Sequence, residues 1–375
     1  MQKLKIMTIV GTRPEIIKLS EILKKLDLYF DHVFVHTGQN YDYALKQVFF
    51  EDLGLREPDH YLNVVGGNLG QTIGNIISSS YELMAEVKPD ALLVLGDTNS
   101  CLSVIPAKRL KIPIFHMEAG NRCFDENLPE EVNRRIVDHT SDVNLCYTEH
   151  ARRYLHAEGI KKEQTFVIGS PMTEILAKYE NQIADSDVLS TLGIKEKEYI
   201  LLSAHREENI DIEKNFIALM SAINNMAQTL QKPIIYSMHP RSKMFLANRG
   251  FVFHELVRAI EPFGFMDYIH LQKNAYCVVS DSGTLAEEAS FYKFPAVSIR
   301  TSTERPEAID KGNMIIGNIT ADNVMQAVTL AVETANNGDY GVDVPDYVDQ
   351  NVSAKVVKII QSYVGIINKM TWRKE

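Results

Sequence analysis

The sequence predicts an α/β protein built from two parallel βα sheets, and three observations carry that reading. Its 375 residues are long for one compact domain and comfortable for two. Short apolar runs alternate with amphipathic segments, the rhythm of βα units. That rhythm breaks near residue 172 and restarts near residue 199.

In the first half, residues 6–10, 33–36, 91–95, 114–117 and 166–168 read as buried strands separated by helices. In the second, residues 199–203, 233–238, 268–271, 277–279 and 296–299 repeat the pattern. Ser170-Pro171 and the polar stretch 181–197 interrupt it, which sets the boundary between two Rossmann-like domains, residues 1–171 and 172–351. In residues 352–375, Val356, Ile359, Ile360, Tyr363 and Ile367 fall at helical spacing, so a closing helix is expected to bury one face against either domain. Gly66-Gly67-Asn68-Leu69-Gly70 reads as a flexible connection.

A formal charge of −10 gives no general attraction to nucleic acid, so an anionic ligand would need a local pocket. The N-terminal residues run straight into a strand without a signal peptide pattern, and a cytoplasmic location is expected. Apolar runs such as 91–95 fall far short of the roughly 20 residues that span a bilayer. Cys101, Cys123, Cys146 and Cys277 lack CxxC spacing and are expected to be reduced thiols. Cys123 lies in a polar loop, but reactivity requires an activating partner, and it reads as a neutral loop side chain. His116-Met117-Glu118 is not HExxH and no Cys/His cluster has zinc spacing, so neither a metal nor another cofactor is expected.

In open parallel sheets the residues just after the strands are the first candidates for a site. After the first strand, Gly11-Thr12-Arg13-Pro14-Glu15-Ile16-Ile17-Lys18 offers a tight turn, a helix start, and two cations, Arg13 and Lys18, suited to a phosphate-bearing ligand. It is neither GxGxxG nor GxxxxGK[ST], and it also fits a plain strand-to-helix turn. Asp97 and Glu118 follow the strands at 91–95 and 114–117, and Glu130 opens a helix at Pro129-Glu130-Glu131. Acidic residues are common at helix starts, but together these carboxyls form a set able to exchange protons. In the second half, His205 and Arg206 follow a strand, His239 lies in Met238-His239-Pro240-Arg241, and Asp281-Ser282-Gly283-Thr284 enters a helix carrying Glu287 and Glu288. Small residues at a helix start present free N–H groups to an anion. A carboxylate one turn on could reach a ribose, or simply face solvent. Arg305 adds a cation in Thr303-Glu304-Arg305-Pro306-Glu307-Ala308.

In order and spacing, Gly11–Glu15 with Lys18, Gly96-Asp97-Thr98, Glu118-Ala119-Gly120, Pro129–Arg134, His205-Arg206, Asp281-Ser282-Gly283 with Glu287-Glu288, and Thr303–Ala308 resemble the non-hydrolysing UDP-N-acetylglucosamine 2-epimerase family over almost the whole chain. The resemblance implies a GT-B fold, two Rossmann-like domains with parallel sheets facing a central cleft, and a homodimer. It implies UDP held by Ser282, Gly283 and Thr284 at phosphate, Glu288 at ribose and His205 near the pyrophosphate, with Arg13 assisting. Asp97, Glu118 and Glu130 would be the catalytic carboxylates, with His205 and Lys18 beside them and Arg305 and His239 lining the pocket. The implied reaction eliminates UDP to a 2-acetamidoglycal and returns it with C2 inverted, without a redox cofactor.

His36–Tyr43 and Glu118–Asp125 are more similar to a capsule and O-antigen subgroup acting on UDP-2-acetamido-2,6-dideoxy-L-talose to give UDP-N-acetyl-L-fucosamine, which is the preferred expectation. Conversion of UDP-N-acetylglucosamine to UDP-N-acetylmannosamine is the alternative. Where the glucosamine-type enzyme has Gln-His and Leu-Arg-Thr, this chain has Gln39-Asn40 and Asn121-Arg122-Cys123. The first difference bears on activation by a second substrate molecule, and the second places Asn121 and Arg122 where sugar specificity is set. A GT-B glycosyltransferase would share the UDP site but transfer the sugar. A hydrolysing epimerase would release free sugar, and a nucleotide-sugar sensor would not need the three carboxylates.

Overall fold

The computed structural model describes residues 3–38, 50–238 and 240–374, with backbone alone at 207, 208, 240, 241, 247 and 248. The chain divides into two compact units, Met1–Ile175 together with Asp346–Glu375, and Leu176–Pro345. The helix Pro171–Lys178 contains the first crossing between them.

Among the described residues the first unit holds seven strands, β1 (Lys5–Val10), β2 (Asp31–His36), β3 (His60–Tyr61), β4 (Ala91–Leu95), β5 (Ile114–Met117), β6 (Val143–Cys146) and β7 (Thr165–Val167). They form one parallel sheet in the order β3-β2-β1-β4-β5-β6-β7, with Thr8 of β1 opposite Phe34 of β2 and Leu93 of β4. Covered on both faces, the central strands read as unbroken apolar runs. Ile6 and Val10 of β1 and Leu93 and Leu95 of β4 enter one core; Met7, Ile9, Leu92 and Val94 enter the other. The first core is closed by Ile16, Leu19, Leu23 and Leu26 of the helix Arg13–Tyr29 and by Val352, Val356, Ile360, Val364 and Ile367 of the helix Val352–Met370. Spacings of three and four put each set on one helical face.

The second unit repeats the plan with β8 (Ile200–Ser203), β9 (Ile234–Ser237), β10 (Val257–Ile260), β11 (Cys277–Ser280), β12 (Ala296–Ser298) and β13 (Ile315–Ile316), ordered β10-β9-β8-β11-β12-β13 and parallel throughout. Two cores again flank the sheet. Both sheets therefore show the doubly wound order, which reverses between β1 and β4 and between β8 and β11.

Residues 268–271, expected as a strand, lie inside the helix Phe265–Asn274, where Ile269 and Leu271 are buried. A four-residue apolar run fits a buried helix turn as well as a strand, and length alone cannot separate them. The glycine-rich stretch 66–70 is an ordered helix entry rather than a flexible connection. Asn68 Oδ1 accepts from Gln71 N at 2.9 Å, capping the helix Leu69–Val87, while Gly66 N and Gly67 N donate to Thr72 Oγ1 at 3.0 Å and Gln71 Oε1 at 2.7 Å.

Candidate active site

In the first unit the reversal of strand order brings the loops after β1 and β4 together. Glu15 ties them. Its Oε2 accepts from Gly11 N at 3.0 Å, Thr12 N at 2.8 Å and Thr12 Oγ1 at 2.8 Å, and its Oε1 from Ser100 Oγ at 2.5 Å. Burial pushes the Glu15 carboxyl up from its ordinary value, and hydrogen bonds from Ser100, Thr12 and Gly11 pull against it. Arg13, the first residue of the helix, is exposed.

β4 leads into Asp97, whose Oδ2 lies 2.6 Å from Arg134 Nη2. Arg134 sits on the helix Pro129–Thr140 and also gives Nη1 to Glu131 Oε2 at 3.0 Å. The preceding Asn133 donates Nδ2 to Asp97 O at 2.9 Å. Glu130, in the first turn of this helix, is half-buried, whereas Glu131 is fully buried and also accepts from Cys123 N at 3.1 Å. One helix thus carries Glu130 and grips Asp97 by two successive side chains.

β5 leads into Glu118, which adopts φ +64°, a conformation that costs a residue with a Cβ about 1–3 kcal/mol and clusters at functional sites. Its Oε2 lies 2.5 Å from Lys18 Nζ, and both side chains are buried. Gly120 follows at φ +82°, where a Cβ would lie 2.4 Å from Ala151 O, so only glycine fits.

Behind these residues is a buried ionic cluster. Asp138 accepts from Gly120 N at 3.2 Å and Arg122 Nη1 at 2.7 Å and meets His116 Nδ1 at 2.9 Å, while His116 Nε2 meets Gly96 O at 2.8 Å. Burial pushes the Asp138 carboxyl up, but His116 and Arg122 outweigh it and hold it below its ordinary value. The remaining nitrogens of Arg122 reach Glu158, at 2.7 Å from Nε and 2.6 Å from Nη2. Expected in the sugar pocket, Arg122 is placed instead among Asn121 O, Asp138 and Glu158, with its side chain fully buried. Asn121 is buried too, and its Nδ2 has no hydrogen-bond partner.

In the second unit the reversal brings together the loops after β8 and β11. Asp281, fully buried, takes His205 N and Arg206 N at 2.9 Å each and Asn209 Nδ2 at 3.1 Å on Oδ2, and its Oδ1 faces His205 Nδ1 at 3.3 Å. Ser282, Gly283 and Thr284 follow and lead into the helix Leu285–Tyr292, with Ser282 Oγ and Thr284 Oγ1 3.0 Å apart. A Cβ on Gly283 would meet Glu304 Oε1 at 2.7 Å. Glu304 is held by Arg300 Nη1 at 2.5 Å and Arg206 Nη2 at 3.5 Å. Glu288 accepts from Gln272 Nε2 at 2.6 Å, and the buried Arg305 reaches Glu287 Oε1 from Nε at 3.2 Å. Ser282 N donates to Ser280 Oγ at 3.1 Å, so the loop is fixed before it enters the helix.

His239 and the stretch Gln39–Tyr43 lie outside the described residues. The sequence reading assigned no role to Arg134, Asp138, Asp281 or Glu304. For Arg134 a signal was available, since it lies four residues after Glu130 and so on the same helical face. Among the described residues no group of three His, Cys, Asp or Glu side chains is placed to hold a metal, and no helix is long and apolar enough to cross a membrane.

Two parallel-sheet α/β units, one with Asp97 and Glu118 after neighbouring strands and the other with Ser282-Gly283-Thr284 after β11, define a GT-B-like protein. The chain belongs to the UDP-N-acetylglucosamine 2-epimerase family, whose model matches residues 24–361, and it is an enzyme of the isomerase class. It is similar to the structure of UDP-N-acetylglucosamine 2-epimerase from Rickettsia bellii, at 46% identity and TM-score 0.91 with all of both chains covered. The Methanocaldococcus jannaschii UDP-GlcNAc 2-epimerase, crystallised with UDP-GlcNAc and UDP, superimposes with TM-score 0.90 at 32% identity over 96% of this chain and 100% of that one. UDP-2,3-diacetamido-2,3-dideoxy-D-glucuronate 2-epimerase of Pseudomonas aeruginosa is 32% identical over 88% of this chain and 92% of its own length.

Proposed function

We propose that the protein inverts C2 of a UDP-N-acetyl amino sugar without hydrolysis, first of all interconverting UDP-N-acetylglucosamine and UDP-N-acetylmannosamine. The observation that carries the reading is the buried Lys18–Glu118 pair, 2.5 Å apart, on a strand end next to the one that bears Asp97. One carboxylate takes the C2 proton as the C1–oxygen bond breaks, its electron pair leaving with UDP and C1 and C2 becoming doubly bonded in a 2-acetamidoglycal. A carboxylic acid returns a proton to the opposite face of C2, and UDP re-adds at C1. Inversion needs proton-transfer groups on both faces, so at least two of Asp97, Glu118 and Glu130 act.

Lys18 and Arg134 hold Glu118 and Asp97 in fixed orientations, the pre-organisation that makes proton transfer efficient. Ser282, Gly283 and Thr284 receive the diphosphate, Glu288 the ribose, and His205, with Arg13, the pyrophosphate. Arg305, braced by Glu287, lines the sugar pocket. The relatives named for UDP-N-acetylglucosamine set that sugar ahead of the L-talose derivative expected from the sequence.

One observation favours the second sugar. Asn121 Nδ2 is buried without a partner at the position where glucosamine-type enzymes carry leucine, and an unpaired buried donor is costly unless a ligand satisfies it. The second reading is therefore UDP-2-acetamido-2,6-dideoxy-L-talose to UDP-N-acetyl-L-fucosamine, for capsule or O-antigen, in a cytoplasmic homodimer. Incubation in deuterated water with each sugar, without added NAD or metal, tests both by NMR. Deuterium at C2 with inversion in UDP-N-acetylglucosamine is expected; inversion in the talose sugar alone transfers the assignment to it. Absence of exchange in both rejects the epimerase reading for these sugars.

A further inference from the structure

We propose that Asp281 is a positioning residue that fixes the Nδ1–H form of His205 and leaves Nε2 as the nitrogen that meets the diphosphate. The inference deepens the reading above, which places His205 at the pyrophosphate. Asp281 is fully buried, and its two oxygens are used differently. Oδ2 takes three donors, His205 N, Arg206 N and Asn209 Nδ2, at 2.9, 2.9 and 3.1 Å. Oδ1 makes no hydrogen bond and faces His205 Nδ1 at 3.3 Å.

A buried carboxylate oxygen accepts and does not donate, so the ring nitrogen facing it carries hydrogen. The two backbone contacts fix the loop, and the ring contact fixes the imidazole on it. The far nitrogen, Nε2, lies across the ring in a side chain that is 41% exposed. Protonated there as well, the ring places one N–H on Asp281 and donates the other to a phosphate oxygen as charge builds on the departing UDP. At 3.3 Å a small rotation of the ring completes the hydrogen bond that Oδ1 lacks, which gives the carboxylate–imidazole pairing of hydrolytic triads, in which the carboxylate sets the tautomer without itself accepting the proton.

In Asp281→Asn the amide oxygen must take over the three donors, which turns the amide NH2 toward His205 Nδ1 and makes that nitrogen an acceptor. The test is ¹⁵N–¹H NMR of histidine-labelled full-length protein, with the His205 signal assigned from its loss in His205→Gln. The wild type is expected to show the Nδ1–H pattern, and Asp281→Asn the Nε2–H pattern. With it, kcat should fall by a factor on the order of 10²–10⁴, because the neutral amide no longer stabilises the charged ring beside the departing diphosphate, while KM changes less than about threefold. An Nε2–H wild type overturns the proposal even if the variant fails to fold, and so does an unchanged tautomer or kcat in a folded variant. Because the tautomer is read without substrate, its result stands apart from whether either sugar is epimerised.

Discussion

Arg134 Nη2 lies 2.6 Å from Asp97 Oδ2 while its Nη1 lies 3.0 Å from Glu131 Oε2, so one guanidinium spans a carboxylate at a strand end and a buried one on its own helix. Planar guanidinium geometry lets both contacts form at once, which an ammonium on a flexible stem does not reproduce. Arg134→Gln should lower the rate of C2 deuterium exchange by a factor on the order of 10² or more, and Arg134→Lys should recover only part of it. Exchange within about twofold of wild type in Arg134→Gln would remove Asp97 orientation from the mechanism.

The Lys18–Glu118 pair makes a prediction about stability that is separate from turnover. Lys18→Met leaves the Glu118 carboxylate buried without its ammonium and should cost about 3–5 kcal/mol, whereas adding Glu118→Gln should restore most of the loss. Urea unfolding of both single variants and the double variant closes the cycle. All three should be inactive in C2 exchange, so recovery of stability in the double variant without activity separates the two roles.

Acid should weaken the cluster around Asp138. Its carboxyl is held below the ordinary 3.8 in the folded protein, so the unfolded chain binds the proton more readily. The stabilisation is complete above the unfolded value, about pH 4, and disappears as pH falls through the folded value. Asp138→Asn should therefore cost about 3–5 kcal/mol at pH 7 by leaving Arg122 and His116 poorly matched, and the gap to wild type should narrow below about pH 4. Urea midpoints across pH 7 to 3 give the measurement; a gap constant with pH would contradict it.

Gly283→Ala should weaken UDP binding at least tenfold, a loss on the order of 1.4 kcal/mol. The new methyl would meet Glu304 Oε1 at 2.7 Å, and Arg300 and Arg206 keep that side chain from yielding freely. Calorimetric titration with UDP reads the effect, and unchanged affinity would argue against the diphosphate sitting on this loop.

Native thiol labelling should find Cys123 first and slowly. Cys101, Cys146 and Cys277 are fully buried, burial holding Cys277 up to about 12 and the other two well above their ordinary value. Cys123 is half-buried, and burial raises its thiol against a pull from Asp125 N–H and Arg134. Iodoacetamide at pH 8 should modify this thiol more slowly than free cysteine, because the thiolate is the reactive form. Mass spectrometry showing fast single-site labelling would indicate an activated thiol instead.

The central strands were legible because burial on both faces writes an uninterrupted apolar run, as in Ala91–Leu95. β6 and β10 were not: Val-Asn-Leu-Cys carries Asn144, whose Nδ2 is satisfied internally by Asp138 O at 3.0 Å, and Val-Arg-Ala-Ile is an edge strand exposing Arg258. Positions after strands singled out Asp97, Glu118 and His205, because the doubly wound order concentrates polar residues there. Their partners were hidden by distance along the chain. Lys18 and Glu118 are 100 residues apart, and Arg122 finds Glu158 36 residues away, so only folding reveals that the one pair is a candidate for chemistry and the other for scaffolding.

The helix Val352–Met370 fills the same core as the helix Arg13–Tyr29, although residues 176–345 of the other unit are translated between them. The earlier-encoded unit therefore lacks part of its interior until the later segment has left the ribosome, while the intervening unit has its whole sequence in hand sooner. All seven strands of the first sheet are translated by Val167, but the apolar face that the last helix covers stays open for the time needed to translate the insert.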